Sequence, residues 1–121
     1  MKVKRLAFVA IPVADMKRAR AFYEGVLNLE VAEEMGGGDW VEYSAGGDTI
    51  AIATCSEQFQ PSEQGTSCAL EVEDFEAAVT KLKGAVIPLA LEPFDSPVCH
   101  VAVVQDPDGN KIMIHKLKAG S

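Results

Sequence analysis

The feature that most constrains this chain is that it repeats itself. Val13-Ala14-Asp15 matches Val72-Glu73-Asp74 at an offset of 59, and the same offset superposes Met16 on Phe75, Ala19 on Ala78 and Gly25 on Gly84. Further along, Gly47-Asp48-Thr49-Ile50-Ala51-Ile52 matches Gly109-Asn110-Lys111-Ile112-Met113-Ile114 at an offset of 62. Self-similarity at a nearly constant spacing marks a duplicated structural unit. With 121 residues in all, the copies are modules of one domain, because each is too short to be an ordinary domain by itself.

Each copy has the same grammar. Residues 4–13 are apolar and β-branched and read as a buried strand. Asp15 then supplies an N-cap, and Met16, Ala19, Phe22, Tyr23, Val26 and Leu27 recur at helical spacing. The spacing predicts an amphipathic helix of about three turns, ending where Asn28 can take the left-handed conformation. Three extended segments follow, near 29–35, 39–45 and 49–54, punctuated by Gly36-Gly37-Gly38 and Gly46-Gly47-Asp48. A polar linker, 56–65, joins module 1–55 to module 66–119; Phe59 inside it could lie over a pocket.

In the second copy the strand is 67–72, Asp74 is the N-cap, Phe75, Ala78, Val79 and Leu82 share a helix face, and Gly84 ends the helix. Strands near 86–91, 98–105 and 111–117 complete it. Asp106-Pro107-Asp108-Gly109-Asn110 joins the last two as a tight turn, where aspartates are structural rather than catalytic. The expected fold is α+β: two tandem βαβββ modules in a single domain over 1–121, forming a cupped, barrel-like mixed sheet with the helices outside.

Eighteen Asp and Glu against eleven Lys and Arg give a formal charge of −7, the opposite of what phosphate backbones select. Nucleic acid and anionic membrane surfaces are therefore excluded as expected partners. No apolar run approaches the roughly 20 residues of a membrane span. The basic start followed by apolar residues 6–14 imitates a signal peptide, but that stretch is half of the repeat and is expected to be retained. Cys55, Cys68 and Cys99 are odd in number and lack a C-x-x-C pair, which argues for reduced thiols in a cytoplasmic protein and against a disulfide framework or zinc knuckle. Neither Cys55 nor Cys99 has a neighbour that would activate a thiol.

Alternation along strands sorts the side chains into faces. Val9, Ile11 and Val13, and by repeat Cys68, Leu70 and Val72, should pack under the helices with Ile50, Ile52, Ile112 and Ile114. The opposite rows are Phe8 and Ala10, Ser67, Ala69 and Glu71, Ala51 and Ala53, and Met113 and His115. If the modules curve round a shared cleft, these residues line it, and the mostly apolar composition suits a small-molecule pocket.

The run Ile11-Pro12-Val13-Ala14-Asp15-Met16, the later Ala21-Phe22-Tyr23 and Val26-Leu27, the tandem βαβββ plan and the closing Asp106-Pro107-Asp108-Gly109-Asn110-Lys111-Ile112 together resemble the vicinal oxygen chelate superfamily. That superfamily includes glyoxalase I, extradiol dioxygenases, fosfomycin-resistance enzymes and bleomycin-resistance proteins. In its metalloenzymes, His, Gln or Glu side chains on the first and fourth strands of each module hold the metal. Aligned on the two anchor motifs, the resemblance carries those four places onto Phe8, Ala51, Ser67 and Met113. A phenyl ring and a methyl group have no donor atom, and a neutral hydroxyl and a thioether are poor ligands for hard divalent cations. No metal and no cofactor are therefore expected.

Glu71 and His115 are the candidates for acid/base work, should they meet. His100 has no partner at metal-site spacing. Trp40 and Tyr43 lie on opposite faces of the third strand, and Trp40 joins Phe8, Ala51, Ser67, Glu71, Met113 and His115 as a candidate ligand-binding residue. The expected function is binding or sequestering a small amphipathic or aromatic molecule, as resemblance to the bleomycin-resistance branch implies. The alternatives are a glyoxalase-like lyase or dioxygenase with a relocated site, and a non-enzymatic interaction domain. The resemblance further implies a homodimer.

Overall fold

The computed structural model describes residues 1–54, 57, 60–85, 87 and 89–119. Cys55, Phe59 and Val86, each touched by an expectation above, lie outside the described residues. The chain divides into two compact units, Met1–Pro61 and Ser62–Ser121.

Unit 1 runs β1 (Val9–Pro12), α1 (Met16–Arg20), a π-helical segment (Ala21–Val26), β2 (Glu30–Met35), a 3-10 turn (Gly36–Gly38), β3 (Trp40–Ala45) and β4 (Asp48–Ala53). Its sheet order is β1-β4-β3-β2, with β1 parallel to β4 and the other pairs antiparallel. Unit 2 runs β5 (Ser67–Glu71), α2 (Phe75–Gly84), β6 (Leu89–Asp95), β7 (Cys99–Gln105) and β8 (Lys111–Leu117), in the order β5-β8-β7-β6 with β5 parallel to β8. Both units are βαβββ, as the repeat requires. The described strands form two open four-stranded sheets rather than a closed barrel, because hydrogen-bonded pairing is completed within each module.

The caps follow the sequence. Asp15 accepts from the Arg18 N–H and Asp74 from the Ala77 N–H, each at 3.0 Å, so both helices start where an Asx side chain satisfies an orphan donor. Asn28 has φ 57°, the left-handed geometry that ends the first helical run. The second half of that run departs from the α-helix expected. The Leu27 N–H bonds the Phe22 carbonyl at 3.0 Å, a five-residue loop, in a stretch weakened by Gly25. The wider turn accompanies burial of both Phe22 and Tyr23, although they are adjacent in sequence.

Two strands differ from expectation. β1 starts at Val9, and residues 1–8 are exposed. β6 lies at Leu89–Asp95, with register shifts between Leu89 and Leu91 and between Leu91 and Phe94. Pro93 lacks the N–H of a regular ladder, which is why proline in a sheet sits at an edge or a bulge.

The core of unit 1 is Ile11, Val41, Tyr43, Ile50 and Ile52 under Phe22 and Tyr23, with the Tyr23 and Tyr43 rings stacked at 6.1 Å. The Tyr43 hydroxyl donates to Glu24 Oε2 at 2.7 Å, and Glu24 also receives Arg20 Nε at 2.6 Å. Arg20 pairs with Glu34 of β2 as well, tying the helix to the sheet edge. The Arg20 guanidinium holds the Glu24 carboxyl below its ordinary value of 4.5, with the Tyr43 hydrogen bond acting the same way against partial burial. Burial, then the Glu24 hydrogen bond, pushes the Tyr43 phenol well above its usual range. A carboxylate whose folded pKa is depressed binds fewer protons than in the unfolded chain, so its stabilisation is present above the unfolded value and is lost as pH falls through the folded one. Urea denaturation across acidic pH should therefore show stability declining below about pH 4.5, more shallowly in Glu24→Gln than in the parent. Parallel pH profiles for the two proteins would remove this account.

Candidate functional site

The register identifies the face of each sheet that the helices leave free. In unit 2, His100 pairs with Lys116, Ala102 with Ile114 and Val104 with Ile112, and paired residues share a face. Phe75 of α2 stacks on His100, so α2 covers this side. The other side carries three rows across β5, β8 and β7: Glu71, His115 and Val101; Ala69, Met113 and Val103; Ser67, Lys111 and Gln105. β6 extends two of them, Phe94 beside Val101 and Leu91 beside Val103. Leu91, Phe94 and Met113 are 45, 46 and 37 % exposed, giving an apolar band flanked by the Glu71–His115 pair on one side and Ser67, Lys111 and Gln105 on the other.

In unit 1, Tyr43 pairs with Ile50 and packs on the helical run, which sets the covered side. The free side carries Ala10, Ala51 and Glu42 in one row and Pro12, Ala53 and Trp40 in the next. Phe8 meets Trp40 edge to face at 5.2 Å, and the indole N–H of Trp40 donates to Glu42 Oε2 at 2.9 Å. Ala51 is fully buried and Phe8 is 44 % exposed. The alternation expected from sequence thus holds in both units: Phe8, Trp40 and Ala51 share one free face, and Ser67, Glu71, Met113 and His115 share the other.

Glu71 and His115 stand directly opposite one another on adjacent parallel strands, with His115 Nδ1 2.5 Å from Glu71 Oε1. The second carboxylate oxygen accepts the Leu117 N–H at 2.8 Å. The Leu117 N–H, first, and then His115 hold the Glu71 carboxyl below its usual range. The result is an oriented imidazole on an apolar face with its carboxylate partner fixed by a backbone amide. It can exchange a proton with a bound molecule, but it offers only two donor groups to a cation.

His100 has a similar partner, Asp95, at 2.5 Å, on the helix-covered side. This is a strand histidine satisfied by its neighbour, but the neighbour belongs to the bulged β6, which sequence spacing could not bring alongside. Cys68 is partly buried, which pushes its thiol up, and Cys99 Sγ lies 3.0 Å from the Ser96 hydroxyl; neither is placed as a nucleophile. Asp106 is a turn residue: Oδ1 accepts the N–H groups of Asp108 and Asn110 at 2.9 and 2.8 Å, and Oδ2 accepts Asn110 Nδ2 at 2.7 Å. Sequence reasoning missed Leu91, Phe94, Val101 and Val103. The parity of 98–105 held the signal for the two valines, whereas the bulges of β6 hide that of Leu91 and Phe94.

The four positions onto which the vicinal oxygen chelate resemblance carries a metal do not fit one. Phe8 and Ala51 offer no donor, and Ser67 and Met113 offer a hydroxyl and a thioether. Among the described residues, no three His, Cys, Asp or Glu side chains gather into a group able to hold a metal ion. No helix among them is long and apolar enough to cross a membrane.

Comparison with known proteins adds a family and a fold. Residues 5–114 match the family model described as Glyoxalase/Bleomycin resistance protein/Dioxygenase superfamily. Among solved structures, TnmS3, an antibiotic binding protein from Streptomyces sp. CB03234, superposes with a TM-score of 0.83 at 20 % identity, covering 98 % of this chain and 99 % of that one. Lactoylglutathione lyase from Agrobacterium tumefaciens gives 0.78 at 16 % identity, with 95 % of each chain covered. A glyoxalase/bleomycin resistance protein, also from Streptomyces sp. CB03234, gives 0.75 at 20 % identity over 88 % of this chain and 96 % of that one. A comparison with curated protein sequences finds no match.

Proposed function

Because this chain belongs to the Glyoxalase/Bleomycin resistance protein/Dioxygenase superfamily, we propose that it is a small-molecule binder of that family whose ligand is held by apolar contact rather than by a metal. The ligand is amphipathic or aromatic, and each unit by itself offers it a free sheet face: that of Phe8, Trp40 and the buried Ala51 in unit 1, and that of Ser67, Met113 and the Glu71–His115 pair in unit 2. The observation that carries this reading is the donor chemistry of the four family positions. Exposed aromatic and aliphatic side chains around one oriented polar pair are what such a ligand requires. Two structural neighbours, one an antibiotic binding protein and the other a glyoxalase/bleomycin resistance protein, point the same way.

A thermal-shift series tests it with the full chain, using flat aromatic antibiotics and a cationic glycopeptide as probes. At a hundredfold excess over Kd a true ligand adds about 2.7 kcal/mol, which for a chain of this size raises Tm on the order of 10 °C. The series should contain at least one saturable rise; a flat response to all probes removes the proposal.

The 2.5 Å contact between His115 and Glu71 favours one second reading, a proton-transferring enzyme built on that pair. Turnover of a bound probe that is lost in His115→Gln while binding persists would select it. The thiols of Cys68 and Cys99 are free, which suits a cytoplasmic setting, and the family suggests a homodimer. Light scattering on the eluted protein decides the assembly, and a monomer mass would overturn it.

A further inference from the structure

Unit 2 has a cavity of about 780 Å³ on the side of its sheet that α2 covers, away from the proposed ligand face. The first half of α2 forms one wall, and β6, β7 and β8 contribute Asp95, His100 and Lys116 to the other. The volume falls within the range of small-molecule sites. Its apolar surface comes from Phe75, Val79 and Pro93. The Phe75 ring and the His100 imidazole lie 5.5 Å apart and 29° from parallel, so two flat groups are already aligned there.

The charge around this flat surface is one-sided. Four carboxylates line the cavity, Glu73, Asp74, Glu76 and Asp95, against a single ammonium, Lys116. Two of the four are committed: Asp74 caps α2, while Asp95 meets His100 and lies 3.7 Å from Lys118 Nζ. The side-chain carboxylates of Glu73 and Glu76 make no hydrogen bond or ion pair among the described residues. Helix capping explains Asp74, and the helix dipole welcomes a carboxylate in the first turn. Neither explains an aromatic-lined hollow beside two unpaired carboxylates.

The duplication supplies an internal control. At the offset of 59, Glu73, Phe75 and Glu76 correspond to Ala14, Met16 and Lys17, so unit 1 lacks both the ring and the charges. The acidic aromatic hollow is therefore not a by-product of the fold. Among the described residues no three of these carboxylates and imidazoles converge closely enough to hold a metal ion, while the aligned rings suit a cation that spreads its charge over a plane.

We propose that this cavity is a second binding site, selective for a flat organic cation such as an aromatic amidine, with its ring against Phe75 and His100 and its charge towards Glu73 and Glu76. Stacking and cation–π attraction hold the ring while the unpaired carboxylates select the charge. The site is independent of the proposed function, since it lies on the other side of the sheet.

Amide NMR titrations of the full chain with benzamidine, benzyl alcohol and benzoate test it. Benzamidine should give saturable shifts over Phe75–Thr80 and at His100, binding roughly tenfold more tightly than benzyl alcohol, while benzoate gives none. The double variant Glu73→Gln/Glu76→Gln, altered only at exposed positions, should fold normally and weaken benzamidine roughly three- to tenfold. Equal binding of benzyl alcohol, shifts confined to the Ala69 and Met113 side of the sheet, or an unchanged affinity in the double variant would each overturn the proposal. A failed antibiotic series with these shifts present would sink the first site and leave this one standing.

Discussion

Asp106→Ala is expected to cost about 3 kcal/mol or more of the chain's stability, although the residue touches no proposed ligand. The carboxylate is buried at the Asp106–Asn110 turn and accepts three donors, the N–H groups of Asp108 and Asn110 and the Asn110 side-chain amide. Alanine removes every acceptor and leaves these groups, in a buried turn, to compete for water. A buried donor left without a partner costs roughly 1–3 kcal/mol, and partial rehydration of an opened turn recovers some of that. With total stabilities of small domains near 5–15 kcal/mol, the loss will move the urea midpoint far enough to read without curve fitting. Asp106→Asn, which keeps an acceptor oxygen, should lose distinctly less. A change under about 0.5 kcal/mol in Asp106→Ala would mean that the backbone turn holds itself.

The second large effect is on binding. Met113→Thr keeps a residue suited to a strand but withdraws the thioether reach from the centre of the free face of unit 2, where Met113 sits between Ala69 and Val103. Burying a methionine side chain against a ligand contributes about 1.5–3 kcal/mol, so an antibiotic found by thermal shift should bind at least roughly tenfold more weakly to the variant. The unliganded Tm should barely move, because Met113 is 37 % exposed. Isothermal titration of parent and variant with the same antibiotic measures the ratio. An affinity unchanged within a factor of two would place the ligand elsewhere.

These effects trace back to how much of the molecule its sequence discloses. The duplication disclosed the βαβββ plan, and period-two alternation sorted Ser67, Glu71, Met113 and His115 onto one face because both strands there are regular and parallel in register. Where regularity fails, so does the reading. Pro93 and two register shifts move β6 several residues from its expected place and bring Phe94 and Leu91 onto the face unannounced. The cupped, barrel-like sheet anticipated from the tandem modules is resolved as two open four-stranded sheets, a detail beyond alternation, which reports which way a side chain points and not which strand lies next door. The pairing of His100 with Asp95 was unreadable for the same reason. The π-helical turn was invisible too: its apolar positions satisfy helical spacing nearly as well as an α-helix does, and it is the backbone bond from the Leu27 N–H to the Phe22 carbonyl that tells them apart.

The β2 edge of the unit 1 sheet has a consequence for crowding. β2 is exposed along its whole length and would seem an open invitation for another chain's strand. It reads Glu-Val-Ala-Glu-Glu-Met, so a second copy docking there edge to edge would bring Glu30, Glu33 and Glu34 against their own kind. The edge of unit 2 is interrupted instead by Pro93 and its bulges. Repulsion guards the β2 margin and irregularity the β6 margin, which should keep the protein from polymerising through either of these strands even when concentrated.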